Sequence, residues 1–346
     1  MRRPLFVALL CAVLTACQAG GALPATGTAQ SARESSPSKW QIAYQYGVTY
    51  QGVTLGVDGA IWMCDGGFGT TLDRFTSLGP PQKYELGYEP EEITVGADRA
   101  LWLTTNESTV LRVTTALKIT AYPVSDVLVG GIVLGSDHNV WFVEQHYIGR
   151  ISPAGKLKEY PMVVGSSQLT ASGYSGLAWG PDGRLWFGAS SSSGQYIVKL
   201  NPRTRKIKIM GPGSLSMGPI VAAPDGNIWY IRGFTQSTYQ TILTRITTSG
   251  QATTYYGPPR FIEAGTPSGM VVGPDGGLWF ATQRISRRGI RRVVGGGLVR
   301  YDIRLNHFSA SAAPHGFDWE WGLTFDSSGH AWLSANTQAQ VFSTNS

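Results

Sequence analysis

The sequence predicts an all-β fold: a seven-bladed β-propeller of four-stranded blades, closed by an N-terminal strand that completes the last blade. Three observations carry this. Seven tryptophans, Trp62, Trp102, Trp141, Trp186, Trp229, Trp279 and Trp332, sit in one recurring local pattern: GVDGAIWMC, GADRALWLT, GSDHNVWFV, GPDGRLWFG, APDGNIWYI, GPDGGLWFA and a degraded SSGHAWLS. Successive members lie 40, 39, 45, 43, 50 and 53 residues apart, a period that short apolar strands give in propellers. Charged residues make up only 14% of the chain, against about 25% in ordinary domains. The 44 glycines beside 42% apolar residues suit an all-β chain with many tight turns and exclude a Gly-rich disordered one.

The chain begins with an export segment. Arg2 and Arg3 form a basic start, and Leu5 to Leu14 an apolar run too short to span a bilayer. Leu14-Thr15-Ala16-Cys17 resembles a bacterial lipobox. Residues 1–16 are therefore expected to be removed, and Cys17 to carry lipid that holds the protein to a membrane. Gln18 after the Cys points to the outer membrane in a two-membrane cell. Losing Arg2 and Arg3 lowers the net charge from +6 to +4, so part of the basic balance belongs to targeting. Cys11 leaves with the signal, which makes Cys64 a lone thiol. Beside a repeat Trp it reads as a small buried apolar residue, not a nucleophile. Residues 17–38, small, polar and aperiodic, read as a flexible tether.

The propeller spans residues 39–346. Its third repeat is the clearest. Gly131–Gly135 is a short inner strand, Ser136–Asn139 a turn, Val140–Val143 a second strand and Tyr147–Ile151 a third. Ser152–Gly155 turns again, and Lys156–Tyr160 alternates as the outer strand. Asp-Gly before the Trp supplies a hairpin turn. The Trp fills the wedge between blades. The third strands of the other repeats fall at Thr71–Phe75, Val110–Val113, Tyr196–Leu200, Ile242–Ile246 and Gly297–Tyr301, with Gln340–Ser343 in the seventh. The seventh repeat lacks a fourth strand, and residues 39–45 alternate like one, so they are expected to close the ring. In the sixth repeat Arg284, Arg287, Arg288, Arg291 and Arg292 interleave with apolar residues. This reads as a long solvated hairpin; export argues against nucleic acid as a partner.

The segment IVLGSDHNVWFVEQHYIGRISPAGKLKEYP, from Ile132 to Pro161, resembles a repeat of the virginiamycin B (streptogramin) lyase family, and weaker versions run through residues 39–346. The resemblance implies a seven-bladed propeller. It also implies Mg²⁺-assisted elimination across an ester C–O bond of a cyclic depsipeptide, in which a base removes a proton beside a carbonyl. The family keeps catalytic His residues eleven before the repeat Trp in its last two blades, and a Glu thirteen before the last. Here those positions hold Ser268, Trp321 and Trp319. The full set at minus eleven is Gln51, Glu91, Gly130, Ser175, Gly218, Ser268 and Trp321. Neither Ser without a partner nor Trp can serve as the base, so catalysis by the family's residues is not expected. His315 in Pro-His-Gly lies six residues early; it and Glu91 are the candidate substitutes.

What remains at the funnel is a set of carboxylates and rings. Glu89, Glu91 and Glu92 are expected on the loop before the second inner strand, with Asp318 and Glu320 before the seventh. Tyr174, Trp319 and Trp321 add aromatic surface. With Ser175 and Ser268, this set suits a sugar, peptide or organic cation, and its acids could hold Mg²⁺ or Ca²⁺. The expectation is a monomeric, lipid-anchored, extracytoplasmic module binding a small polar ligand or an envelope protein. The alternatives are a C–O lyase with altered residues and a structural scaffold in an envelope assembly.

Overall fold

The computed structural model describes residues 40–45, 49–67, 69–171, 176–212, 218–234, 237, 239–259, 261–263, 269–285, 293–313, 320–335 and 338–342. The expectations for residues 1–38, including Cys17, lie outside them. So do Tyr174, Ser175, Ser268, Asp318, Trp319, His315 and the tip of the Arg-rich hairpin.

The strands form seven antiparallel sheets, each ordered from an inner to an outer strand. The first blade runs Thr49–Leu55, Ile61–Gly66, Thr71–Phe75, Gln82–Glu85. The second runs Pro90–Val95, Leu101–Thr105, Thr109–Val113, Ile119–Pro123, and the third Leu128–Leu134, Val140–Glu144, Tyr147–Ile151, Leu157–Pro161. Blades four to six repeat the order, and the seventh holds Glu320–Phe325, Ala331–Ala335 and Gln338–Phe342. Its outer strand is Trp40–Gln45, paired antiparallel with Gln338–Phe342 from Trp40↔Phe342 to Gln45↔Gln338. The Trp40 ring packs 5.0 Å from that of Phe342, and its indole N–H donates to Ser311 Oγ of blade six at 3.0 Å. The ring is thus closed by the two ends of the domain, and the last blade gains its fourth strand.

Two pieces go beyond the repeat. A two-residue hairpin, Val163–Val164 with Ser167–Gln168, sits between blades three and four. In blade six, Phe261–Glu263 pairs the far end of Leu278–Ile285, beyond the inner strand Met270–Val272. The basic insertion extends the hairpin of Leu278–Ile285 and Val293–Asp302 as far as Ile285↔Val293.

The core is divided among the blade interfaces. One apolar cluster joins blades one and two through Trp62, Cys64, Leu72, Ile93 and Leu103. Equivalent clusters occupy the other six interfaces. Trp102, Trp141, Trp186 and Trp229 are fully buried within them. Cys64 is fully buried, and burial, then Glu92 and Glu91, pushes its thiol well above the ordinary range.

The Asp before each Trp does more than turn the chain. Gly59 N–H donates to Gly56 O, and Gly59 alone of the turn has positive φ. The Asp-Gly hairpin turn expected from sequence is therefore a type I turn followed by a left-handed residue. Asp58 sits inside it and accepts the Trp62 indole N–H at 3.1 Å. The same bond recurs from Trp102 to Asp98, Trp141 to Asp137, Trp186 to Asp182, Trp229 to Asp225 and Trp279 to Asp275, at 3.0–3.1 Å. In the degraded seventh repeat, Asp326 has moved two residues earlier and still reaches Trp332, at 2.8 Å. A cation from the third strand, directly across from the Trp, completes the unit. Arg74, Arg112, Arg150, Lys199 and Arg300 lie over their indoles and pair with the same Asp at 2.5–3.8 Å.

Candidate functional site: the bulged inner strands

In an antiparallel blade the link to the next blade and the turn from second to third strand lie at one end. Around the axis at that end, the inner strands of blades one, two, three and seven break register with their second strands. The breaks fall between Tyr50 and Val53, Pro90 and Ile93, Leu128 and Ile132, and Glu320 and Leu323. They contain Gln51, Glu91, Gly130 and Trp321, the minus-eleven positions of those blades. A bulge bends its strand and re-aims its side chains. It also corrects one expectation: Glu91 and Glu92 lie inside the strand Pro90–Val95, not on the loop before it, because pairing resumes beyond the bulge at Pro90↔Thr105. Glu320 and Trp321 fall in the inner strand of blade seven. In blades four to six the inner strands shorten to Leu177–Trp179, Ile220–Ala222 and Met270–Val272.

The inner strands approach one another closely through glycines. A Cβ on Gly52 would lie 2.6 Å from Glu91 O, one on Gly176 2.7 Å from Ile220 N, and one on Gly322 2.8 Å from Gln51 O. Neighbouring inner strands therefore touch backbone to backbone at the axis. Hydroxyls two residues after the repeat Trp satisfy the groups this frees. Ser334 Oγ accepts from Gly322 N at 2.6 Å and donates to Gln51 O at 2.5 Å. Thr104 Oγ1 accepts from Glu92 N at 3.1 Å.

Blade two contributes an acidic rim. Glu91 is half-buried. Burial raises its carboxyl pKa, and the negative charges of Glu89 and Glu107 raise it further. Glu89 accepts from the Asn106 side chain, and its backbone N–H donates to Glu107 at 3.5 Å. Strand pairing thus brings Glu89, Glu91 and Glu107 together, and two of these were legible in sequence.

Two acid clusters were missed, although a signal existed: Asp65 and Glu144 each stand three residues after a repeat Trp. Asp73, fully buried, accepts from Tyr50 Oη at 2.7 Å and pairs with Lys83 at 3.0 Å. Lys83 lies 3.7 Å from Asp65, whose carboxyl is pushed up by burial. In blade three, buried Glu144 accepts from Asp126 N at 3.0 Å, while Ser125 N and Oγ both donate to Glu159 at 2.7 Å. Burial and the nearby Glu159 carboxylate push Glu144 up to about 8. Among the described residues no three His, Cys, Asp or Glu side chains converge as metal ligands.

These blades define a seven-bladed β-propeller, four of whose inner strands are bulged at their minus-eleven positions. Residues 39–171 match the Virginiamycin B lyase family model. A streptogramin B lyase superposes with a TM-score of 0.69 at 18% identity, over 88% of this chain and 97% of that one. Virginiamycin B lyase from Staphylococcus aureus gives 0.68 at 20% identity, over 88% and 99%. The extracellular domain of a hybrid two-component system from B. thetaiotaomicron gives 0.69 at 14% identity, over 90% of this chain and 42% of that one. No curated protein matches the chain in sequence.

Proposed function

We propose that the protein is an extracytoplasmic, lipid-anchored binding module. It takes a small ligand bearing positive charge, an amine or quaternary ammonium group, at the funnel around Glu91. The single observation that carries this is Glu91 itself. It is held half-buried in a bulge, with two further carboxylates raising its pKa, so a cation that entered would relieve both the repulsion and the desolvation. Trp321, at the same position in blade seven, would supply a ring for cation–π contact. The extracytoplasmic setting rests on the lipobox around Cys17 and on likeness to an extracellular sensor domain. A thermal-shift screen of amines, quaternary ammonium compounds and neutral sugars tests the reading. Amines or ammonium compounds should raise the melting temperature of the wild type and neither Glu91→Gln nor Trp321→Ala should respond. Equal response in all three proteins would refute the site.

The raised pKa of Glu91 also favours a second reading, an eliminating lyase with Glu91 as base. Glu91-dependent opening of a cyclic depsipeptide, followed by mass spectrometry, would establish it. No opening at high enzyme concentration would leave the binding module alone.

A further inference from the structure

At the end of the propeller opposite the funnel, a cavity of 260 Å³ opens between blades one and two. Its walls include the Trp62 and Tyr84 rings, whose centroids are 5.6 Å apart. Arg74, Arg99, Val57 and Leu117 border it. The residue that faces the repeat Trp across each blade interface varies in size. The last inner-strand residue before the turn is Trp179 in blade four and Phe325 in blade seven. Their rings pack against Trp141 and Trp279 at 6.2 and 5.6 Å. In blade two that residue is Val95, as small as Val272 of blade six, and it puts no ring over Trp62.

The rim is built against backbone preference. The turn before each repeat Trp has a left-handed glycine in blades one, four, five, six and seven: Gly59, Gly183, Gly226, Gly276 and Gly329. The turn from third to outer strand uses Gly155 in blade three and Gly250 in blade five. Blade two replaces both, with Arg99 at φ 64° and Leu117 at φ 60°. Blades three, four and six replace one each, with His138, Arg205 and Asn306. A side chain costs energy at such positions, and strained residues cluster where a site needs them. Both of these border the same cavity. Leu117 and Val57 are each 39% exposed. The Arg99 guanidinium makes no hydrogen bond or ion pair among the described residues, whereas Arg74 is tied to Asp58 at 2.7 Å. The rim therefore carries one uncommitted positive charge above an aromatic floor.

We infer that this interblade cavity binds a small carboxylate with an aromatic body, the ring against Trp62 and Tyr84 and the carboxylate on Arg99. The volume suits this: about 150 Å³ takes a benzene ring, and the remainder takes a short acid arm. A planar guanidinium is the side chain that best pairs with a carboxylate. The same chemistry occurs on a free metabolite-sized acid and at the C-terminus of a peptide ending in Phe.

Calorimetric titration of the full-length protein separates these. The probes are phenylacetate, its uncharged analogue phenylacetamide, and N-acetyl-Ala-Ala-Phe as free acid and as amide. Phenylacetate should bind saturably, and at least tenfold more tightly than phenylacetamide. Arg99→Gly restores the glycine of the other repeats, so its melting temperature should not fall, yet phenylacetate should bind at least tenfold more weakly. Val95→Trp, which rebuilds the ring of blade four, should abolish binding of both acids. If the peptide acid binds more tightly than phenylacetate, the carboxylate site stands and its source is a chain terminus. Absence of saturable binding by either acid, or unchanged affinity in Arg99→Gly, would overturn the inference.

Discussion

The Asp98 carboxylate accepts the indole N–H of Trp102 at 3.1 Å while its other oxygen holds Arg112 at 2.6 Å, so one side chain ties a turn, a second strand and a third strand together. The Arg112 guanidinium lies 5.9 Å over the same indole, and the Tyr122 ring of the outer strand stacks at 5.6 Å. Three strands of the blade and its first turn thus meet around one tryptophan through a polar hinge.

Removing that hinge should cost more than removing a surface ion pair. Asp98→Ala leaves a buried indole N–H without an acceptor and strands Arg112. The expected loss is about 2–4 kcal/mol, read from urea unfolding midpoints. Asp98→Asn, which keeps an acceptor, should lose roughly half as much. Equal losses would show that the charge alone mattered.

Acid should weaken these hinges together. Burial raises the carboxyls of Asp58, Asp98, Asp275 and Asp326, but hydrogen bonds from the indoles and from Arg74, Arg112, Arg300 or His330 prevail, and all four end below the ordinary value. A depressed folded pKa adds stability above the unfolded value, about 3.9, and that stability is lost as pH falls through the folded pKa. Thermal melts should stay flat from pH 6 to 5 with respect to these groups and drop steeply below pH 4.

Glu144 should act in the opposite direction. Its folded pKa, about 8, lies above the unfolded value near 4.3, so the folded state binds more protons between the two. Stability then falls as pH rises through that window, by at most about 1.4 kcal/mol per pH unit. Glu144→Gln should flatten the stability profile between pH 5 and 8 and leave the variant more stable than the wild type at pH 8.

Closure predicts a contrast between two deletions. Loss of residues 40–45 strips the outer strand from blade seven and unseats Trp40 from Phe342 and Ser311. Its melting temperature should fall by well over 10 °C, or the protein should fail to fold. Loss of residues 18–38 should leave it unchanged. Similar melting temperatures would refute closure by the two ends.

The axis should tolerate almost nothing at Gly52. Its Cβ would meet the backbone of Glu91 and Glu92 at 2.6–2.8 Å, where no side chain can move aside, so Gly52→Ala should destabilise by about 1–3 kcal/mol. Gly59→Ala, at an open turn with positive φ, should cost about 1 kcal/mol.

Fold class, blade number and closure were legible because each depends on local period and on turn residues. The tryptophans mark second strands, and the alternation in residues 39–45 finds its place by counting. The lone Cys64 and the spacing of Glu89 and Glu91 were equally readable. The indole–Asp bond was not. Four residues of separation with a left-handed Gly between them looks like an ordinary hairpin turn until the backbone shows Asp58 turned inward onto Trp62. Nor were the bulges at Gln51, Glu91 and Trp321, nor the close approach of neighbouring inner strands at Gly52 and Gly322. That crowding is a property of the closed ring, invisible in any single repeat. The cavity beside Arg99 is of the same kind. Val95, Arg99 and Leu117 each pass as small departures from a repeat in sequence. Only packing of blade two against blade one sets Arg99 and Leu117 at the rim of one cavity beside Trp62 and Tyr84, because burial and charge at an interface depend on both partners.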